Sequence, residues 1–166
     1  NYGTREALTV AGVPVGREVV GVQRDRRDGD AAGGTPPADR DGSIIVVVAT
    51  DAPLLPHQLA RLTRRVPMGI ARLGGTASNG SGDLFIAFST ANPGAAASTG
   101  RTPLEWLPNN DLNPFFAATI EATEEAIVNA LVAAETMTGA GGTVHALPHD
   151  QLQGALRKYN RLAGAR

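Results

Sequence analysis

Gly42-Ser43 joins two segments that cannot share an environment. Upstream runs RDRRDGDAAGGTPPADRDG, charged and rich in Gly, Pro and Asp; downstream runs SIIVVVAT, almost wholly apolar. Cutting that bond would leave Ser43 with a free α-amine beside its own hydroxyl, a nucleophile and a base on one residue. The same position also fits a serine that merely begins a strand. A second candidate is Asn79-Gly80-Ser81-Gly82-Asp83. In an extended chain Ser81 and Asp83 point the same way, so a hydroxyl and a carboxylate could together hold and polarise an amine. The plainer alternative is a turn feeding the next strand. Asn1 is a third candidate, because an asparagine amide can donate to an oxyanion.

Other chemistry finds little support. There is no cysteine, which excludes zinc-thiolate sites, disulfides and cysteine nucleophiles. His145 and His149 are four apart, but Pro148 interrupts any helix that would put them on one face, and His57 stands alone. No GxSxG elbow, P-loop or HExxH occurs, so neither a metal nor a cofactor is expected. A net charge of -1 with scattered charges offers no footprint for nucleic acid or an anionic membrane. No apolar run approaches the roughly 20 residues that span a bilayer. The compartment is not readable from these features.

The candidates need elements to position them. The length, 166 residues, suits one domain. Residues 6–10 and 17–23 read as short strands about a turn at AGVPVG. Residues 24–42 read as a disordered linker, since ordering them would cost about 1–2 kcal/mol each with no burial in return. Residues 44–49, continuously apolar, read as a strand buried on both faces. Leu59, Leu62, Val66, Ile70 and Leu73 recur at helical spacing over 56–73, with Pro67 splitting or kinking the helix. Residues 84–90 read as a strand paired with 44–49. A long helix is expected over 113–137, with Phe116, Ile120, Ile127 and Leu131 inward and the glycines of 139–142 as its stop. A last helix over 149–159 presents Leu152, Leu156 and Tyr159 inward. The helices 56–73 and 113–137 should cover one face of the sheet, giving an α/β (α+β) class.

GSIIVVVATDAPLLPHQLARL and GGTASNGSGDLFIAFSTAN together closely resemble the DmpA-type family of self-processing aminopeptidases. Asn1-Tyr2-Gly3-Thr4 and LTVAGVPVG are similar to the segment just before that family's processing site, so the likeness covers nearly the whole chain apart from the linker. The resemblance implies that the precursor is cut between Gly42 and Ser43, that Ser43 is the nucleophile, that Ser81 and Asp83 are the Ser-x-acid pair, and that Asn1 serves the oxyanion. It implies a four-layer αββα sandwich like that of N-terminal-nucleophile hydrolases, of which this chain supplies part. On that reading residues 1–42 end the larger subunit and residues 43–166 form the smaller one. A substrate-binding tyrosine would lie further upstream, and the chain would be the C-terminal part of a precursor.

The implied partners are a peptide, amide or ester with a free amino terminus, the remaining larger-subunit segment, and further αβ units in a homo-oligomer. The implied sandwich leaves a sheet edge that upstream strands cover, so the fragment alone should aggregate. Two other readings stand beside this one. Related self-processing folds cut ω-amino-acid oligomers internally, or transfer acetyl groups to ornithine, with threonine where this chain has Ser43. Alternatively the chain is a subunit without activity of its own.

Overall fold

The computed structural model describes residues 2–22, 42–97, 99–140 and 142–162. Asn1 and all of the expected linker except Gly42 lie outside the described residues. The centre is a pair of parallel strands, so a crossover must join them. Strand β1 (Ile45–Thr50) runs into α2 (Pro56–Thr63) and α3 (Val66–Arg72), and the chain returns as β2 (Leu84–Ser89). The strands pair in register from Ile45 opposite Leu84 to Thr50 opposite Ser89. The expected single helix is two helices with a turn at Arg64-Arg65, and Pro67 lies in the first turn of the second, where its missing N–H costs nothing.

Burial along both strands alternates residue by residue. This corrects the expectation of a strand buried on both faces. Val48 packs on Ala52, Leu54, Leu62 and Leu112, the core beneath α2. Ile45 (68 % exposed), Val47 (57 %), Ile86 (48 %) and Phe88 (46 %) point to the opposite side, which no element of the described chain covers. An apolar run specifies burial; the helices of this chain supply it on one face.

The long helix α4 (Asn113–Ala133) packs across α3 and also touches α2. It comes close at Gly69, where a Cβ would lie 2.6 Å from the Ile120 carbonyl oxygen and 2.8 Å from Thr123 Cβ. Only glycine lets the two backbones come so near. The most buried positions on α4 are therefore Thr119 and Thr123, not Phe116, Ile120, Ile127 or Leu131, which are half-buried. Both threonine hydroxyls donate to carbonyls one turn back, at 2.7 Å, so their burial leaves no polar atom unpaired. The Phe116 ring instead takes the Arg65 guanidinium at 3.8 Å from its centroid.

The helix stops earlier than expected. Met137–Gly139 and Gly142–Val144 form a short antiparallel pair, β3 and β4, where the sequence pattern continues the helix to 137 and reads the glycines as its stop. The last helix, α5 (His149–Lys158), buries Leu152 and Ala155; Leu156 is half-buried and Tyr159 is exposed.

Residues 2–22 are not the two expected strands. They form a single 3-10 turn at Arg5–Ala7, an isolated bridge between Val10 and Val13, and a one-turn helix, α1 (Val15–Glu18). Ala11 and Gly12 both take positive φ, 51° and 75°, a tight turn that folds the chain back after one residue pair. The valines are apolar because they enter a second core with Leu152 and Ala155 of α5, not because they build a ladder.

Candidate active site

The strand register dictates the site. Ile45 faces Leu84, so two residues earlier Ser43 stands level with Gly82, and Gly42 with Ser81. The Leu84 N–H bonds the Ile44 carbonyl at 3.0 Å and extends the pairing toward that end. The starts of two neighbouring parallel strands thus bring together residues 39 apart in sequence. Gly42 is buried while Ser43 is exposed.

Six contacts define the cluster. The Gly82 N–H donates to Ser43 Oγ at 2.9 Å. The Ser81 hydroxyl lies 2.6 Å from Asp83 Oδ1 and 3.1 Å from the Gly42 carbonyl oxygen. The Ile44 N–H donates to Asp83 Oδ1 at 3.2 Å. The Tyr2 hydroxyl donates to Asp83 Oδ2 at 3.2 Å and accepts from the Ala77 N–H at 3.0 Å. A serine hydroxyl has one proton. With Asp83 ionised, the shorter, charge-assisted bond takes it. Burial pushes the Asp83 carboxyl up, but the bonds from Ser81, the Ile44 amide and Tyr2 together outweigh this and hold it below the usual carboxylate range. Burial raises the Tyr2 phenol above its ordinary value; the Ala77 bond opposes this and the Asp83 charge adds to it.

Of the residues picked out in the sequence, Gly42, Ser43, Ser81 and Asp83 meet here, and Asn1 lies outside the described residues. Two participants escape a reading by residue type. Tyr2 carries no motif of its own beyond its place in Asn1-Tyr2-Gly3-Thr4, and Gly82 acts through its backbone. Ser43 also lines a groove of about 900 Å³ beside β1, walled in part by Leu8, Val19, Leu73, Ile127 and Leu131. Among the described residues no cluster of His, Asp and Glu could hold a metal ion, and no helix is long and apolar enough to cross a membrane.

An α+β chain with a serine at a strand start has close counterparts among solved structures. A protein from Pyrococcus horikoshii OT3 is 43% identical and superposes with a TM-score of 0.80 over 98% of this chain and 41% of its own. The L-aminopeptidase D-Ala-esterase/amidase of Ochrobactrum anthropi, described as a variant of the Ntn hydrolase fold, is 44% identical with a TM-score of 0.77, over 98% of this chain and 42% of its own. The fold is that of the Ntn hydrolases. The beta-peptidyl aminopeptidase BapA of Sphingosinicella microcystinivorans is 50% identical over 171 aligned positions, covering all of this chain and 43% of the relative. The model of peptidase family S58 matches residues 1–145, and the chain belongs to that family. It spans about two fifths of the length of these relatives.

Proposed function

We propose that this chain carries the processing site and most of the catalytic groups of a self-cleaving serine aminopeptidase. The observation that supports this best is the meeting of the Gly42 carbonyl, Ser43 Oγ, Ser81 Oγ and Asp83 at the starts of adjacent strands. Ser43 Oγ attacks the Gly42 carbonyl carbon. The C–N bond to Ser43 breaks, the acyl group moves to Oγ as an ester, and water hydrolyses the ester to release the Ser43 amine. Gly42 then ends one subunit and Ser43 begins the other.

The released α-amine has an ordinary pKa of about 7.7–8.0, so a useful share is neutral near pH 7. In the second reaction it takes the proton of its own hydroxyl as Oγ attacks a substrate carbonyl. The Gly82 N–H orients Oγ. Ser81, held by Asp83, orients the amine, and the nearby Asp83 charge favours the ammonium that later protonates the leaving amine. Asn1 donates to the oxyanion, a contribution worth roughly 3–4 kcal/mol in other enzymes.

The substrate is a peptide, amide or ester with a free amino terminus, cut after its first residue. The names of the relatives, a beta-peptidyl aminopeptidase and an L-aminopeptidase D-Ala-esterase/amidase, support this class. The open face of β1 and β2 and the apolar walls of the groove support packing against further strands of the whole protein, and assembly of αβ units into a homo-oligomer.

Intact-mass analysis of the full-length protein tests the reading. A species beginning at Ser43 is the expected result, and an uncut chain that still hydrolyses free-amine substrates would overturn it. Amino-terminally blocked substrates should be refused.

A further inference from the structure

Among the described residues upstream of Gly42, Tyr2 is the one whose side chain reaches Asp83. Its ring lies against Gly75, where a Cβ would come within 2.6 Å of ring Cε1. Its hydroxyl bridges two points of the loop before β2. One is the amide of Ala77, a residue held at φ 47°, in the left-handed region that alanine seldom adopts without support. The other is Asp83 Oδ2.

The division of the carboxylate matters. Oδ1 receives the Ser81 hydroxyl and the Ile44 amide, while Oδ2 receives Tyr2. The last torsion of an aspartate is broad, so partners on one oxygen alone leave the plane loosely set. A donor on the second oxygen closes that freedom. We propose that Tyr2 is a positioning residue for the reaction of Ser43: it fixes the plane of the Asp83 carboxylate, and thereby the direction in which Ser81 holds its hydroxyl beside Gly42 and Ser43. The inference rests on the proposed role of Ser43.

Tyr2→Phe in the full-length protein keeps the ring against Gly75 and removes the bridge. Turnover should fall about tenfold, the size of a lost hydrogen bond to a charged group, with KM changed by less than about twofold. The acid limb of the pH–rate profile should move to higher pH, because a donor that favours the ionised Asp83 is gone. In an Asp83→Asn background the same change should cost less than about twofold, since Tyr2 acts through Asp83. A wild-type rate and pH profile in Tyr2→Phe overturns the proposal. Equal losses in both backgrounds, with a lowered melting temperature, overturn it as well and make the hydroxyl structural. If the role of Ser43 is itself wrong, Ser43→Ala retains cutting and turnover whatever Tyr2 does, so the two failures are distinguishable.

Discussion

The stretch leading into β1 and the stretch leading into β2 end level with each other, yet they are built from different materials. Gly42-Ser43 brings a buried carbonyl and an exposed hydroxyl to the start of β1. Ser81-Gly82-Asp83 brings a hydroxyl, an amide N–H and a carboxylate to the start of β2, and three of its five cluster contacts reach across to Gly42, Ser43 and Ile44. Under the proposed function, the first stretch carries the atoms that react and the second the atoms that hold them. Parallel pairing keeps the two aligned, because the register that turns Val48 and Ala87 to the half-buried face also sets Ser43 level with Gly82.

That contrast can be broken at graded cost. Ser43→Ala removes the proposed nucleophile itself. It should leave one uncut chain by mass and lower hydrolysis by at least about a thousandfold, as loss of a nucleophile does elsewhere. Asp83→Asn leaves the nucleophile and weakens its holder. Initial rates should fall roughly a hundredfold. Asp83→Asn also has a signature in stability. The native carboxyl is held below its ordinary range, so it stabilises the fold above the unfolded pKa, and that contribution is lost as pH falls through the native value. Acid titrations of unfolding should show this loss in the wild type and not in the Asn variant.

Gly69→Ala should spare the alignment and strain only the scaffold. Its Cβ meets the Ile120 carbonyl, so denaturant melts should show a loss of about 1–3 kcal/mol while turnover per folded molecule stays near normal. Gly82→Ala is the mildest change. It keeps the N–H on Ser43 and adds a Cβ in ordinary contact, 3.5 Å from Ser43 Oγ, so steady-state rates should change by no more than a few-fold.

Much of the holding stretch could be read in advance. Ser81 and Asp83 are two apart before an apolar run, and a period of two decides which way they point. Helical spacing identified α2, α3 and α5, and Pro67 marked the break between the first two. The misreadings share a cause: apolar character reports burial and not the shape of what buries it. Val10 and Val19 look like strand residues and Val13 and Val15 like turn residues, and all four instead fill a core against α5. Ile45 and Val47 look buried and face outward. Phe116, Ile120, Ile127 and Leu131 look like the inward side of α4, yet Thr119 and Thr123 lie innermost, because Gly69 on another helix admits the backbone there. Tyr2 was illegible as a site residue for a related reason, since its partner Asp83 is 81 positions away.

The attachment of residues 2–22 to the remainder has a further consequence. It includes the valine cluster against Leu152 and Ala155, the Thr9 amide on the Leu73 carbonyl, Gln151 bonded to both backbone polar groups of Val20, and Lys158 on Glu18 at 2.8 Å. None of these depends on the peptide link between residues 42 and 43. A molecule nicked at that bond therefore keeps its architecture, but its thermodynamics change order. Unfolding then yields two separate polymers in place of one, so the midpoint of the transition rises with protein concentration, and dilution becomes a way to take apart a protein cut at that bond.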